Sequence, residues 1–247
     1  MSLLRVESLQ KSFGGIHAVA GVSFALAAGE IVALIGPNGA GKSTCFNLLN
    51  GQLRPDGGRI LVNGSDVTDE PVRALCQLGV SRGFQVAATF TSMSVRENVQ
   101  IALLSRAGEI WRFGVSVDER FKADAIALLD RVGMTALAER ACGTLAYGDL
   151  KRLELAVALA GAPKLLLLDE PSAGMAVAER AAMMALIRRL ADEHTIGVLF
   201  TEHNMDAVFS IADRILVMDH GALIAAGTPG EIRANRHVQA VYLGDDA

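Results

Sequence analysis

The chain has 247 residues and a formal net charge of −4, and 51% of its residues are hydrophobic. It is long enough for one large α/β domain or two small ones, and its acidic balance argues against a broad basic surface for nucleic acid. Three widely spaced cysteines exclude a disulfide framework and a cysteine metal cluster. No apolar run reaches the about 18 residues of a membrane span, and the N-terminus lacks the apolar core of a signal peptide. We expect a cytosolic protein with no membrane span of its own.

The first third of the chain consists of short apolar strands with helices between them. Strands are predicted in LLRVESL, VSFALAA, EIVALIG, RILVNG and GVSRGFQ. One helix begins at about Gly41, and a second, shorter one follows Pro71. Such short apolar strands are typical of a buried sheet.

From about residue 90 to 160 the apolar residues recur at helical spacing instead. The pattern covers ENVQIALLSRA, ERFKADAIALLDRVG and LKRLELAVALAGA. It predicts a helical subdomain of about 89–160 inserted into a catalytic core of about 1–88 and 161–247, so that 1–247 forms a single domain.

Strands and helices alternate again after residue 160. Predicted strands KLLLLDEP and GVLFTEH are separated by the helix ERAAMMALIRRLADEH, and a short helix, MDAVFSIAD, follows. A hairpin, RILVMDHGALIAAGT, and one final amphipathic helix, EIRANRHVQAVYLG, end the chain. This alternation predicts an α/β fold with a mainly parallel sheet, whose ligand binds at the carboxyl ends of the strands.

GPNGAGKS has the spacing of a phosphate-binding loop, in which glycine is followed by four residues and then Gly-Lys-Ser. An apolar strand precedes it and a helix follows it, as such a loop requires. Its backbone N–H groups would surround phosphate oxygens, Lys42 would neutralise the β- and γ-phosphates, and the Ser43 hydroxyl would bind Mg²⁺. The alternative is a glycine turn that carries a surface lysine.

LLLLDE is a buried strand that ends in Asp169 and Glu170. Successive side chains of a strand point to opposite faces, so the two carboxylates should have different roles. Asp169 can hold the magnesium shell, and Glu170 can act as the general base for an attacking water. Without the phosphate loop, a solvated strand end would be the better explanation of the pair.

Three further side chains are candidates on the same reasoning. His203 ends the strand GVLFTEH, where it can help to orient the water or can simply cap a loop. Gln85 closes GVSRGFQ as a neutral amide that could reach the metal or the water. Phe13 could stack on adenine or belong to the core.

The segment LAYGD directly precedes the amphipathic run LKRLELAVALAGA. Asp149 could cap the N-terminus of that helix. Alternatively, a helix N-terminus preceded by glycine can bind a phosphate. Nothing within the five residues decides between these two readings.

The order of GPNGAGKST, FQ, LAYGD, LLLLDEP, SAGM and TEH resembles the ATP-binding cassette (ABC) ATPases over essentially the whole chain. The resemblance implies a P-loop NTPase fold with an N-terminal antiparallel β region, and ATP and Mg²⁺ as ligands. It implies that LAYGD is the signature motif, which closes over ATP held by a second subunit. The implied catalytic residues are Glu170, His203 and Gln85, and the implied metal-binding residues are Ser43, Gln85 and Asp169. The implied nucleotide-binding residues are Phe13, Gly36, Pro37, Asn38, Gly39, Ala40, Gly41, Lys42, Ser43, Thr44, Ala146, Tyr147, Gly148 and Asp149.

KSFGG, SMSVRENV and the tail GTPGEIRANRHVQAVYLGDD are similar to the ATP-binding subunits of branched-chain amino-acid importers. The tail is also similar to that of the lipopolysaccharide-export ATPase. Two positions depart from the family pattern, since Ala146 stands where most signature motifs have serine and Met175 where many members have aspartate. Both departures bear on how well this chain completes its partner's site.

The resemblance implies a motor subunit on the inner face of the cell membrane. Its partners would be a second ABC ATPase subunit (a different chain or a second copy), membrane permease subunits and, indirectly, an external substrate-binding protein, with no nucleic acid. VAATFTSMSV, with Trp111 and Phe113, would receive a short permease helix, or these aromatic residues would pack inside the insertion. A soluble cassette protein acting on ribosomes or DNA, and a small-molecule P-loop kinase, are the alternatives from other classes.

Overall fold

The computed structural model describes residues 2–83, 89–108 and 121–240. Its strands are β1 (Ser2–Phe13), β2 (Ile16–Ala27), β3 (Ile31–Ile35), β4 (Gly57–Val62), β5 (Ser65–Asp66), β6 (Val80–Gly83), β7 (Leu165–Asp169), β8 (Gly197–Thr201), β9 (Arg214–Asp219) and β10 (Ala222–Gly227). Its α-helices are α1 (Lys42–Leu49), α2 (Val72–Gln77), α3 (Val95–Ala107), α4 (Lys122–Arg131), α5 (Tyr147–Ala160), α6 (Val177–His194), α7 (Met205–Ile211), α8 (Pro229–Ala234) and α9 (Arg236–Val238).

The strands form two sheets. The larger has the order β10-β9-β3-β8-β7-β6 and is parallel except for β10, which pairs antiparallel with β9. The smaller is antiparallel, with the order β2-β1-β4-β5. Because β3, β8 and β7 are neighbours, the segments that follow them lie along one edge of the larger sheet.

The larger sheet is buried on both faces. Along β3, Ile31, Ala33 and Ile35 pack into one hydrophobic cluster, which also contains residues of α3 to α8. Val32 and Leu34 of the same strand pack into a second cluster, between the two sheets and around Phe46 of α1. This alternation explains why the strand reads as an unbroken apolar run in the sequence.

The helical insertion lies between β6 and β7, where α3, α4 and α5 pack on one another. α3 begins with a capping box, in which the Ser94 hydroxyl accepts from the Glu97 N–H and the Glu97 carboxylate accepts from the Ser94 N–H. The predicted α/β fold, with a mainly parallel sheet, an antiparallel N-terminal sheet and a helical insertion, is confirmed. Over the described ranges, no helix has the length and apolar character needed to cross a membrane.

The C-terminal end differs from the single helix predicted for EIRANRHVQAVYLG. α8 ends at Ala234 and a separate short helix, α9, starts at Arg236. The cause is Asn235, which has extended backbone angles and whose side chain accepts from the N–H groups of His237 and Val238. Asparagine favours such a cap over a position inside a helix.

Candidate active site

The loop of residues 36–41 connects β3 to α1 and is pressed between backbone segments of other strands. A Cβ at Gly36 would lie 2.1 Å from the Met218 carbonyl oxygen, and a Cβ at Gly41 would lie 2.1 Å from that of Ala18. The Ala40 carbonyl also accepts from the N–H of Gly221, at 3.0 Å, in the turn between β9 and β10. Because the neighbouring backbone lies so close, only glycine fits at these two positions. The close packing also keeps the loop tightly curved.

Lys42, the first residue of α1, directs its ammonium group into that loop. Its Nζ donates to the carbonyl oxygens of Gly36, at 2.7 Å, and Pro37, at 3.0 Å. Burial lowers the pKa of the Lys42 ammonium, and the nearby carboxylates of Glu170 and Asp169 partly oppose that shift. The next residue, Ser43, is exposed. The Lys42 ammonium, the exposed Ser43 hydroxyl and the carboxylates of Asp169 and Glu170 thus lie near one another at the start of α1.

Asp169 ends β7 and is buried, with a partner for each of its carboxylate oxygens. Oδ1 accepts from the Thr201 hydroxyl at 2.7 Å, and Oδ2 accepts from the Arg82 guanidinium at 3.0 Å. The other terminal nitrogen of Arg82, Nη1, donates to Asn47 on α1, at 2.6 Å, and to Gln52. Arg82 therefore ties the strand that ends in Asp169 to the helix that follows the glycine loop.

Glu170 lies just beyond β7 and not within it, which corrects the prediction that the strand includes both carboxylates. Its φ of 50° is left-handed, and its N–H is held by the carbonyl oxygen and the hydroxyl of Thr201, at 3.2 and 3.1 Å. Residues other than glycine keep such a backbone only where the surroundings enforce it. The turn changes the direction of the chain, so the two carboxylates face different surroundings.

His203 meets Glu170 on this edge, as its position after a neighbouring strand predicts. Its Nε2 lies 2.8 Å from Glu170 Oε1. β8 ends at Thr201, so His203 is in the following turn and not the last residue of the strand. The side chains of both residues are partly exposed, and the pair is open to solvent.

The segment LAYGD lies at the N-terminus of α5. The helix begins at Tyr147 and its N-cap is Ala146, so the reading in which Asp149 is the cap is wrong. No side chain caps this end of α5. Tyr147 is half exposed and lies beside Gly174, whose Cβ, if present, would be 3.3 Å from the ring. The N-terminus of α5 therefore lies against the turn that follows Glu170.

The remaining candidates have mixed outcomes. Phe13, at the tip of the β1–β2 hairpin, is 47% exposed, so the reading that puts it in the core is wrong. The Lys11 ammonium lies 5.6 Å from the centre of its ring. Met175 is buried in the core cluster. Gln85, Trp111 and Phe113 lie outside the described residues.

Sequence reasoning missed Arg82 and Thr201, which supply the partners of Asp169. Each is close in sequence to a predicted site residue, since Arg82 precedes Gln85 by three positions and Thr201 precedes His203 by two. Neither has a motif of its own, and only the strand order shows what they contact.

Comparison with known proteins adds a family to this geometry. Residues 19–173 match the ABC transporter family model, and residues 222–247 match a model described as branched-chain amino acid ATP-binding cassette transporter. The chain is 39% identical over 250 residues to the high-affinity branched-chain amino acid transport ATP-binding protein BraF of Pseudomonas aeruginosa, with 98% of each chain covered. It is 40% identical over 250 residues to LivG of Escherichia coli, a protein of the same description, again with 98% of each covered.

Two further similarities are more distant. The lipopolysaccharide export system ATP-binding protein LptB of Escherichia coli is 35% identical over 246 residues, covering 100% of this chain and 99% of LptB. The solved structure of the ADP conformation of MJ1267, an ATP-binding cassette of an ABC transporter, superposes with a TM-score of 0.88 at 29% identity. That similarity covers 99% of this chain and 100% of the other.

Proposed function

The chain belongs to the ABC transporter family of ATP-binding cassettes, and on that premise we propose that it hydrolyses ATP as the motor subunit of a branched-chain amino-acid importer. The observation that carries the proposal is the contact of 2.8 Å between Glu170 and His203, on the sheet edge that also presents Asp169 and Lys42. These groups come from three neighbouring strands, and together they suit the hydrolysis of a phosphate anhydride.

The glycine loop binds the phosphates of ATP. The backbone N–H groups of residues 36–41 and the N-terminus of α1 face the phosphate oxygens, and the Lys42 ammonium neutralises their charge. Phe13 stacks on the adenine ring, for which its exposed position at a hairpin tip is suited. Asn38 and Gly39 of the loop, and Thr44 in the first turn of α1, complete the proposed phosphate site.

The residues present fit a magnesium ion that arrives with ATP. Ser43 offers an exposed hydroxyl and Asp169 a buried carboxylate next to the loop. Over the described part of the chain, no group of three His, Cys, Asp or Glu side chains could hold a metal ion. One hydroxyl and one carboxylate, from Ser43 and Asp169, suit Mg²⁺, which keeps several waters and binds through one or two carboxylates and the phosphates. When bound, Mg²⁺ would offset charge on the β- and γ-phosphates.

Glu170 is the general base of the proposed reaction. When its carboxylate is ionised, the hydrogen between it and His203 must sit on Nε2, so the imidazole donates and holds Oε1. The second carboxylate oxygen is then available to take a proton from the attacking water. His203 and Gln85 orient the water and the γ-phosphate. Asp169, with both oxygens engaged by Thr201 and Arg82, serves the metal instead.

The start of α5 serves the site of a partner subunit. Free N–H groups at a helix N-terminus attract a phosphate, so Ala146 to Asp149 would close over ATP held by a second ATPase subunit. Ala146 supplies no hydroxyl for this contact. A partner that carries a serine there would close this chain's own site more tightly, which favours a pair of two different subunits over two copies.

The class of transported substrate follows from the relatives. BraF and LivG are named for branched-chain amino acid transport, and the C-terminal family model carries the same description. LptB, at 35% identity, makes lipopolysaccharide export the second candidate. The match of residues 222–247 to the amino-acid transporter model favours import. A soluble, non-transport cassette protein is the alternative outside the transporters.

In this function the chain works on the inner face of the cell membrane, bound to permease subunits that contact the substrate-binding protein outside. The helical subdomain of about 89–160 would contact the permease, and the core of about 1–88 and 161–247 would hold ATP.

Catalysis is tested by Glu170→Gln. The amide cannot accept a proton, so turnover should fall by about 10²-fold or more while ATP binding stays normal and an ATP-bound dimer accumulates. Phosphate release and gel filtration measure the two effects. Near-normal turnover would remove Glu170 from the role of general base.

Two controls accompany this variant. Lys42→Ala should lose nucleotide affinity, because it removes the charge that opposes the phosphates. Glu193→Gln removes an exposed carboxylate that is paired with Arg189 on α6, away from the site, and should leave turnover unchanged.

The class of transported substrate is tested by purifying the chain with its permease and binding protein and identifying the bound ligand by mass spectrometry.

A further inference from the structure

Glu202 is a buried carboxylate between two residues of the site, Thr201 and His203, and the proposed chemistry does not use it. Its exposed fraction is 3%. Oε1 accepts two hydrogen bonds from Ser172, from the N–H at 2.8 Å and from the hydroxyl at 2.6 Å. Oε2 accepts from the His203 N–H at 3.2 Å. Both oxygens are therefore engaged by donors that are neutral.

These donors belong to the two turns that carry the proposed catalytic pair. Ser172, itself 1% exposed, lies two residues after Glu170, in the turn that follows β7. His203 is in the turn that follows β8. The Glu202 carboxylate joins these two turns through hydrogen bonds. The same two turns carry Glu170 and His203, whose Oε1 and Nε2 are in contact. The pairing of β7 with β8 ends at Asp169 and Thr201, and one residue further the Glu170 N–H still bonds to Thr201. Ser172 and His203 lie beyond these contacts.

A carboxylate is an expensive group to bury at this position. An ionised side chain away from water is tolerated only where hydrogen bonds replace its hydration, and an apolar residue would fill the same space at less cost. The presence of a carboxylate here therefore indicates that the relative position of the two turns is what Glu202 maintains, more than the stability of the fold. The left-handed backbone of Glu170, with φ of 50°, is a second sign that this turn is held in place.

We propose that Glu202 is a positioning residue for ATP hydrolysis, which sets the separation of Glu170 and His203 by binding the N–H and hydroxyl of Ser172 and the N–H of His203. This inference rests on the proposed function, in which Glu170 and His203 act on the attacking water. Glu202 itself contacts neither ATP nor water in that scheme. Its loss should therefore lower kcat and leave ATP binding, which depends on the glycine loop and Lys42, unchanged.

Two substitutions probe the two sides of this link. In Glu202→Gln, the amide NH₂ must face either the Ser172 donors or the His203 N–H, so one turn loses its anchor. Ser172→Ala removes the hydroxyl and keeps the backbone donor. With the purified full-length chain, we expect kcat to fall about 10-fold in Glu202→Gln and about 3-fold in Ser172→Ala. KM and the affinity for a fluorescent ATP analogue should stay within about twofold.

Glu30→Gln is the matched control. This partly buried carboxylate immediately precedes β3, at the opposite edge of the sheet, where it accepts from the Ala27 N–H at 2.7 Å and from Arg214 at 2.8 Å. Its loss should lower the melting temperature and leave kcat unchanged. If Glu30→Gln and Glu202→Gln lower kcat equally, the effect is one of general stability and the proposal is wrong.

A double-mutant cycle with His203→Ala separates positioning from stability. Once the imidazole is gone, there is no pair whose separation matters, so Glu202→Gln should change the residual rate by less than about twofold. A full further loss in that background would overturn the proposal. If Glu202→Gln shows no cooperative thermal transition, Ser172→Ala decides, and a folded Ser172→Ala with normal kcat also overturns it.

The outcomes also separate this inference from the proposed function. If Glu170→Gln and His203→Ala both retain near-normal turnover, the catalytic assignment itself fails. If those two variants lose turnover while Glu202→Gln and Ser172→Ala keep it, only the positioning role of Glu202 is excluded.

Discussion

Asp169 and Glu170 are adjacent in the chain, yet their surroundings give them different chemistry. Asp169 is buried, and its two oxygens are held by Thr201 and Arg82. Glu170 turns out of the strand, remains partly exposed and contacts His203. A held carboxylate suits a metal shell, whereas a carboxylate with one free oxygen suits proton transfer. The left-handed turn at Glu170 gives the two carboxylates these different surroundings and so separates their two proposed roles.

The glycine loop offers a residue-scale test of close packing. Gly41→Ala would place a Cβ 2.1 Å from the Ala18 carbonyl oxygen, whereas Gly39→Ala would meet nothing within 4 Å. Both positions have positive φ, so both should lose about 1–2 kcal/mol to backbone strain. Gly41→Ala should lose about 1–3 kcal/mol more from overpacking.

Thermal unfolding of both variants checks this prediction. Gly41→Ala should melt roughly 2–12 °C below Gly39→Ala, given about 2–4 °C per kcal/mol for a chain of this size. Equal melting temperatures would mean that the β2 backbone moves away from the loop at no cost, and that the loop is not held there.

At the scale of an element, α5 is an amphipathic helix whose N-terminus is left open. Ala146 occupies the N-cap position with extended backbone angles, and it has no side-chain oxygen for the free N–H groups of the first turn. A serine there would ordinarily supply one. The hydroxyl that Ala146 lacks would therefore have two uses. Within this chain it would cap α5, and in the proposed dimer it would donate to the ATP held by the partner.

Ala146→Ser distinguishes these two consequences. A hydrogen bond to a charged group contributes roughly 1.5–3 kcal/mol, so the completed site should bind ATP one to two orders of magnitude more tightly. ATP-driven dimerisation by gel filtration and phosphate release should both increase. The isolated wild-type chain, as a homodimer lacking the hydroxyl at both sites, should show low basal activity.

A stabilised helix alone could mimic part of this result, and measurements with and without ATP separate the two effects. Capping of α5 should stabilise the chain by about 1 kcal/mol whether or not ATP is present. The proposed contact with the partner's phosphate should promote the dimer only when ATP is present. If Ala146→Ser alters neither dimerisation nor turnover, Ala146 does not face a phosphate.

At the scale of the whole molecule, the helical insertion presents an exposed aromatic residue on a rigid support. Phe90 is 54% exposed, and its N–H and carbonyl oxygen are held by the side-chain amide of Asn98, at 2.7 and 3.2 Å. Asn98 is itself buried in α3. An apolar side chain on a backbone held in this way is suited to contact a permease helix in the proposed transporter. Phe90 lies in the segment VAATFTSMSV, for which the family resemblance implies that contact.

Phe90→Ala should weaken the stimulation of ATP hydrolysis by the permease several-fold, because it removes apolar contact area from that interface. The measurement is turnover with and without permease in detergent or vesicles, with the basal rate as the internal reference. Leu78→Ala is the control, since Leu78 is an exposed apolar residue just before β6, at the opposite edge of the sheet. Unchanged stimulation in Phe90→Ala would place the permease contact elsewhere.

The sequence by itself determined the parts of this protein that depend on neighbours along the chain. Short-range spacing and apolar periodicity predict the glycine loop, the strands that are buried on both faces, and the position of Asp169 and Glu170 at the end of β7. They also predict the helical character of the insertion. By contrast, the break at Asn235 depends on hydrogen bonds of its own side chain, and α5 starts at Tyr147 although no side chain caps it. Periodicity reveals neither of these boundaries.

Only the tertiary structure decided which distant side chains meet. The contact of Glu170 with His203, the hold of Arg82 on Asp169 and the link from Glu202 to Ser172 join residues at least 30 positions apart. Each depends on β8 and β6 lying on either side of β7. Hydrophobic patterning leaves that order open, because β3, β7 and β8 are all buried along their whole length and apolar except at the carboxyl ends of β7 and β8. Packing of the whole chain selects that order, and the order brings these side chains to one edge.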